Sequence, residues 1–296
     1  MRKTAVVTAG TGGIGLETAV GLAAAGYAVT VVGRDPDRGA RAVGRIDAAG
    51  PAHRSRFLAA DLGSLDQVRT LAERLAADHA ASGDPLTVLV NNVGAMFPER
   101  TSLGGVEASF VVNHLSPYLL TELLLPTLTA AAPSRIVNVT SGAVALARRG
   151  FETVEPPGGY YGFHWYGRAK LANLAYTLDL AARLDGTGVS VFAADPGGAA
   201  TDMTDGTMTD PRIVSPALRL LWPLVRRRFE RSTSGPASAA ARPSITAATD
   251  EALAGRTGLL LGADTRPAAP LRAAADPRVA GAVRRLSERH APLSTA

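Results

Sequence analysis

The sequence predicts an α/β fold: a doubly wound, parallel sheet of about seven strands flanked by helices on both faces. Three observations predict it. Short apolar runs alternate with longer segments of helical period along the chain. These runs are bounded by Gly, Asn, Asp, Ser or Pro, as buried strands of an α/β sheet are. A glycine-rich turn, Gly10–Gly15, joins the first run to the first helical segment. With 296 residues, 46% of them hydrophobic, and no internal repeat, the expectation is a single domain over 1–296.

The elements follow in order. Lys3–Thr8 reads as a strand, and Gly13–Ala25 as a helix with Leu16, Ala19, Val20 and Ala23 on one face. Ala28–Val32 is a second strand, and Pro36 suits the first turn of the next helix. Phe57–Ala60 is a third strand. Ser64 is the N-cap expected for a helix reaching Ala81. Leu86–Val90 is a fourth strand, and a long apolar-striped helix is expected over 103–128. Arg135–Thr140 and Val189–Ala194 are strands five and six, separated by a helix holding Tyr166. Leu259–Leu261 is a seventh, with helices at 236–248 and 279–289. In such a sheet ligands bind at the carboxyl ends of the strands, near the switch in strand order. Gly10–Gly15, Arg34, Asp61, Asn91, Ser141 and Pro196-Gly197 all follow strands.

Composition excludes several functions. Without cysteine there is no disulfide, thiolate metal site or cysteine nucleophile, and no metal is expected. The formal charge is +5, but the arginines are scattered and only Arg226–Arg228 form a run, so nucleic acid is not expected as a partner. Residues 1–9 lack a signal-peptide layout, and no apolar stretch reaches the roughly 18 residues a membrane span needs. A soluble, cytoplasmic protein without membrane contact is the expectation. Positive charge is carried almost wholly by Arg; Lys3 and Lys170 are the only lysines. A lysine inside a helical segment of such a chain points to a task for a compact ammonium whose pKa can move.

Gly10-Thr11-Gly12-Gly13-Ile14-Gly15 matches G-x-G-x-x-G in the context the motif requires, after a strand and opening a helix. Glycines there let backbone N–H groups approach a pyrophosphate at the helix N-terminus. About 20 residues on, NAD-binding chains carry an acid for the ribose 2′-hydroxyl. This chain has Arg34, then Asp35. A guanidinium forks onto a 2′-phosphate, which favours NADP(H) over NAD(H). The other reading pairs Arg34 with surface acids and leaves Asp35 as the residue that matters.

Tyr166 and Lys170 are four apart in a helical segment and share a face. A phenol is a poor acid–base group at neutral pH unless a neighbouring cation favours its phenolate. Such a pair can exchange a proton with a carbonyl oxygen while hydride moves at carbon. The spacing alone is common and leaves a packing role open.

The ordered set Thr8-Ala9-Gly10-Thr11-Gly12-Gly13-Ile14-Gly15, Asp61-Leu62, Asn91-Asn92-Val93-Gly94, Asn113, Ser141, Tyr166-Gly167-Arg168-Ala169-Lys170 and Pro196-Gly197 resembles the short-chain dehydrogenase/reductase family over nearly the whole chain. The resemblance implies a Rossmann-type domain in which Tyr166 is the general acid/base. It implies that Lys170 lowers the tyrosine pKa and holds the nicotinamide ribose, that Ser141 polarises the carbonyl, and that Asn113 anchors a water. It puts Asp61 and Leu62 near adenine, Asn91 near the adenosine ribose with Val93 and Gly94 beside the cofactor, Pro196-Gly197 by the nicotinamide, and Thr201 on its carboxamide. Val112-Asn113-His114-Leu115, Arg135–Ser141, Lys170–Leu174 and Gly33-Arg34-Asp35 look like the retinol-dehydrogenase-like branch, as does the separation of about 25 residues between Ser141 and Tyr166. A homodimer or homotetramer is implied by analogy.

The chain departs from the pattern at Ala9, where a glycine is usual, and at Asp195, where His or Asn is frequent. The substitution at Ala9 is expected to shift the turn or weaken cofactor binding. Thr140 is a rival hydroxyl to Ser141, Asn113 also reads as a helix-kinking residue, and His114 and His164 read as structural or rim residues. Segments 142–165 and 202–231 are expected to form the substrate lid, with Phe151, Tyr160, Tyr161, Phe163, Trp165, Met203, Met208, Leu218, Leu221, Trp222 and Phe229. Their apolar character points to a bulky hydrophobic ketone, aldehyde or alcohol. The function expected is NADP(H)-dependent hydride transfer by a ketoreductase or alcohol dehydrogenase, with bacterial secondary metabolism as a setting. Non-redox chemistry on the same fold, such as cyclisation or epimerisation, and cofactor sensing are the alternatives.

Overall fold

Runs rich in Val, Ile, Leu and Ala become strands buried on both faces, and the amphipathic segments between them become the helices that bury them. A computed structural model describes residues 2–50, 53–147, 150–155, 158–198, 210–224, 226–227 and 235–294. The first half alternates strictly: β1 (Thr4–Thr8), α1 (Gly13–Ala24), β2 (Ala28–Gly33), α2 (Pro36–Ala49), β3 (Arg56–Ala59), α3 (Leu65–Ser82) and β4 (Leu86–Asn91). Asp35 caps α2 by accepting from the Asp37 and Arg38 amides, and Ser64 caps α3 as expected.

The next segment differs from the sequence expectation. Helix was expected from 103, but β5 (Ser102–Leu103) and β6 (Val106–Glu107) form a hairpin. The cause is Gly104-Gly105, at φ 57° and 82°, a pair suited to the turn of a tight hairpin. Helix begins only at α4 (Ala108–Phe110), passes through a π-helical turn at Val111–Leu115, and continues as α5 (Ser116–Ala130).

Then come β7 (Ser134–Val139), a 3₁₀ turn at Gly142–Leu146, α6 (Gly162–Arg183) and β8 (Val189–Ala194). A second 3₁₀ turn (Pro211–Ile213) and α7 (Pro216–Arg219) precede α8 (Ala237–Thr249), β9 (Leu259–Leu261), β10 (Pro267–Ala268) and α9 (Pro277–His290).

The main sheet has 8 strands in the order β10-β9-β8-β7-β4-β1-β2-β3. The expected strands pair in parallel; the addition is β10, an antiparallel edge strand whose two residues carry too little pattern to read. Alternate residues of each strand feed opposite cores. Val7, Val31, Val88 and Val90 pack with Leu22 of α1, Ile46 of α2 and Ala247 of α8. Val6, Leu89, Ile136 and Val191 pack with Leu75 of α3, Leu119 of α5, Leu171 of α6 and Leu286 of α9. Strand order reverses between β1 and β4, and there the carboxyl ends splay into a cleft.

Candidate active site

The cleft has a volume of about 690 Å³ and runs from the start of α1 to Tyr166 and Lys170 on α6. Its first wall is the β1–α1 turn. Thr11, Gly12, Gly13, Ile14 and Gly15 line it, and no side chain caps α1, so the first amides of the helix face the cleft. Gly10 does not line it: a Cβ there would come within 2.7 Å of Val31, so its role is packing against β2. Ala9, where glycine was expected, takes φ 50°. The turn therefore puts left-handed strain on an alanine.

At the far end of this wall lie Arg34, Asp35 and Asp61, with Leu62 lining beside them. The Asp35 carboxylate is bound to the α2 amides, 2.8 and 3.1 Å from Asp37 N and Arg38 N, which holds its pKa low. One oxygen, Oδ1, accepts both amides, so Asp35 caps α2 while still lining the cleft. Arg38 is a second cleft guanidinium that the sequence reading missed; its Nη2 stands 2.6 Å from where a Gly12 Cβ would be. The available signal was its position in the first turn of a helix starting beside the turn, one helical turn beyond Arg34.

The β4 end corrects a second expectation. Asn91 is buried away from the cleft, donating to Thr121 Oγ1 and Asn138 Oδ1, both at 2.8 Å. Its neighbour Asn92 lines the cleft and donates to Thr8 O at 3.1 Å, tying β4 to the glycine-rich turn. Val93 and Gly94 follow on the cleft wall as expected.

The opposite end holds the acid–base groups. Lys170 is 2% exposed, donates to the carbonyls of Val93 (3.1 Å) and Val139 (2.9 Å), and is pushed down to about 7 by burial. Its Nζ is 5.9 Å from the Tyr166 ring centroid. Burial pushes the Tyr166 phenol up to about 12; the hydrogen bond with the Ser141 side chain pulls it down, and the Asp195 charge adds to the rise. Ser141 thus lowers the phenol pKa, while the Lys170 amine is held by two backbone carbonyls. Ser141 rather than Thr140 meets the phenol; the Thr140 hydroxyl is buried without a partner.

Asn113 sits in the π-helical turn with its side chain fully engaged. It donates to Ala95 O and Ser109 O (both 2.8 Å) and accepts from Ala95 N (3.0 Å). Ser109 O is the acceptor an α-helix would give to the Asn113 amide, so the side chain displaces that bond and the turn widens. Gly94 lies between the pair: a Cβ there would be 3.5 Å from both Asn113 Oδ1 and Lys170 Nζ. Pro196 lines the cleft, whereas Gly197 is absent from its lining and accepts a turn at φ 72° under Asp195. Thr201, Met203, Met208 and Phe229 lie outside the described residues.

Only part of the expected substrate wall is at the site. Phe163, Met96, Ala143, Ile213 and Val214 are buried around Tyr166, with Leu218 and Trp222 packed behind. Phe151 instead stacks under Arg168, whose guanidinium carbon is 4.5 Å from its ring. Arg168 donates to the carbonyls of Gly150, Thr153 and Val154, so this part of the loop is bound to the back of α6. Tyr160 donates to Phe97 O at 2.8 Å and stacks on Trp165, Tyr161 lies under Arg219, and Leu221 points outward. His114 and His164 are structural: His114 is buried against Ser287 at 2.7 Å, and His164 bridges Leu146 O and Ser215 N.

Comparison with known proteins agrees with this geometry. Residues 3–212 match the short chain dehydrogenase family. The chain is 36% identical to retinol dehydrogenase 12 of Mus musculus over 79% of its length and 70% of that protein's. A crystal structure of a Mycobacterium paratuberculosis protein aligns with TM-score 0.73 and 27% identity, covering 98% of this chain and 93% of that one. The Pseudomonas aeruginosa RhlG/NADP active-site complex aligns with TM-score 0.66 and 27% identity over 89% of this chain and 95% of its own.

Proposed function

The chain belongs to the short-chain dehydrogenase family, and on that premise we propose that it transfers hydride between NADP(H) and the carbonyl or alcohol carbon of an apolar small molecule. The observation that carries the proposal is the meeting of Tyr166, Ser141 and Lys170 at one end of a cleft whose other end is an uncapped helix N-terminus.

The residues present fit such a cofactor. The open amides of Thr11–Gly15 suit a pyrophosphate. Arg34 and Arg38 suit a 2′-phosphate, and the Asp35 carboxylate beside them accepts from the α2 amides. This favours NADP(H) over NAD(H). Two of the three Lys170 protons go to Val93 and Val139, leaving one donor for a ribose hydroxyl.

When bound, NADPH supplies the hydride that reduces a carbonyl carbon. The protein supplies the proton: the Tyr166 phenol, kept protonated at neutral pH, gives it to the carbonyl oxygen, so C=O becomes CH–OH. Ser141 orients the same oxygen through its hydroxyl. Asn113 fixes the Gly94–Ala95 backbone against which Lys170 rests. The apolar wall of Met96, Phe163, Ile213 and Val214 favours a hydrophobic substrate and keeps water from the phenol.

The test is NADPH consumption by the purified protein with a panel of apolar ketones and aldehydes. Tyr166→Phe is expected to lose nearly all of the rate while still binding NADPH. Undiminished turnover in that variant, or product formed at constant NADPH, would overturn the proposal.

A further inference from the structure

Among the described residues the exposed large hydrophobic side chains are Leu146, Leu220, Leu221, Leu224 and Leu293. Four of these, all but Leu293, lie on the 142–146 turn and the segment that begins at 210. His164 staples the Leu146 carbonyl to the Ser215 amide, at 2.9 and 3.3 Å, and so joins the 142–146 turn to the segment that begins at 210. That segment is apolar on two sides. Inward, Ile213 and Val214 are fully buried against Phe163 and Tyr166. Outward, Leu220, Leu221 and Leu224 are 86%, 54% and 66% exposed. Three leucines turned outward within five residues, on the segment whose inner side packs against Tyr166, form a patch of the kind that marks an interaction surface.

Charge selects the partner. No acid occurs between Pro211 and Arg228, while Arg212, Arg219, Arg226 and Arg227 do. Asp210, at the head of the segment, is paired with Arg212 at 2.7 Å. Arg219 donates to the carbonyls of Pro211, Val214 and Arg212, which fixes its cation beside the leucines. Arg226 and Arg227 are exposed two and three residues beyond Leu224. Apolar tips ringed by guanidinium groups match the boundary between acyl chains and anionic headgroups. A second copy of the chain fits less well, because a two-fold contact through this patch sets the same arginines against one another.

We propose that this patch docks on an anionic lipid bilayer, with Leu220, Leu221 and Leu224 entering the interface and Arg219, Arg226 and Arg227 meeting lipid phosphates. The mouth beside Tyr166 then opens toward the lipid. Surface docking is compatible with the absence, among the described residues, of a helix long and apolar enough to cross a membrane. Use of that mouth by a lipid-dissolved substrate rests on the function proposed above; the docking does not.

The test is flotation of the full chain with phosphatidylcholine vesicles, with and without phosphatidylserine. Binding is expected only when phosphatidylserine is present, and it should weaken as salt rises. Leu220→Ser/Leu224→Ser should reduce partitioning at least about ten-fold. Arg226→Gln/Arg227→Gln should reduce it about five-fold per arginine. Both variants should keep wild-type thermal unfolding and NADPH affinity. The proposal is overturned by a wild-type protein that ignores phosphatidylserine vesicles, or by a leucine variant that floats like wild type. It is also overturned by a concentration-dependent dimer in light scattering that the leucine variant dissolves, without vesicle binding. Vesicle binding by a protein that turns over no carbonyl compound would overturn the proposed function and leave this surface standing.

Discussion

Asn113 closes a two-way hydrogen bond on Ala95, accepting from its amide at 3.0 Å and donating to its carbonyl at 2.8 Å. The bond fixes the β4 exit against the π-helical turn and leaves Gly94 pressed between Asn113 and Lys170. Asn113→Ala orphans both Ala95 groups, and a loss of about 1–3 kcal/mol in urea unfolding is expected. Asn113→Asp should not rescue it, because a carboxylate lacks the donor that Ala95 O and Ser109 O need. Carbonyl-reducing kcat should fall in both variants by more than NADPH affinity does.

Ala9 offers the opposite sign. Its φ of 50° is a conformation that costs an alanine roughly 1–2 kcal/mol. Ala9→Gly removes the strain but adds freedom to the unfolded chain, so a net gain of up to ~1 kcal/mol is expected. Chemical denaturation checks it. A loss of stability would show that the turn is not strained.

Lys170 makes stability depend on pH. Burial moves it from 10.5 to about 7, so between these values the unfolded chain holds a proton that the folded chain lacks. Stability from this group is complete above 10.5 and is lost as pH falls through 7. Relative to Lys170→Met, the wild type should therefore gain stability as pH rises across that window, by up to about 1.4 kcal/mol per pH unit. Parallel pH profiles for the two proteins would contradict the burial of a neutral lysine.

Asp195 stands where its charge adds to the rise of the Tyr166 pKa. Asp195→Asn removes that charge, so the phenol should ionise at lower pH. Reduction needs the protonated phenol, so the alkaline fall of kcat for carbonyl reduction should move to lower pH. An unmoved limb would show that the carboxylate does not reach the phenol.

Arg38 tests cofactor choice. Arg38→Gln should weaken NADPH binding about 10- to 100-fold, the effect of losing one charge-assisted contact, and leave NADH affinity nearly unchanged. Fluorescence titration of both cofactors separates this from a general loss of binding, which would lower the two affinities together.

Much of the fold is legible in the chain because buried parallel strands must be apolar and their ends must turn. Lys3–Thr8, Ala28–Val32 and Val189–Ala194 could be read for that reason. The hairpin at 102–107 was obscured because Leu103 and Val106 have helical spacing, and only Gly104-Gly105 betrays the turn. Tyr166, Lys170 and Ser141 were legible because one helix and one strand end carry them. Arg38 was not, and Asp195 could be read only as a departure from the family pattern, since each matters through a neighbour distant in sequence.

The sequence by itself determined the alternation of the main strands and helices and the residue types brought to the strand ends. Tertiary structure decided which candidates meet the cleft or the phenol: Asn92 rather than Asn91 and Gly12 rather than Gly10 line the cleft, Ser141 bonds the phenol while Thr140 lines the cleft, and Phe163 rather than Phe151 packs on Tyr166. It also decided that Asp35 caps a helix and that Arg38 reaches the cleft beside it. For the adjacent pair at the end of β4 the physical reason is direct. Neighbouring residues of an extended chain point to opposite sides, and only sheet register and the packing of helices on it fix which side is the cleft.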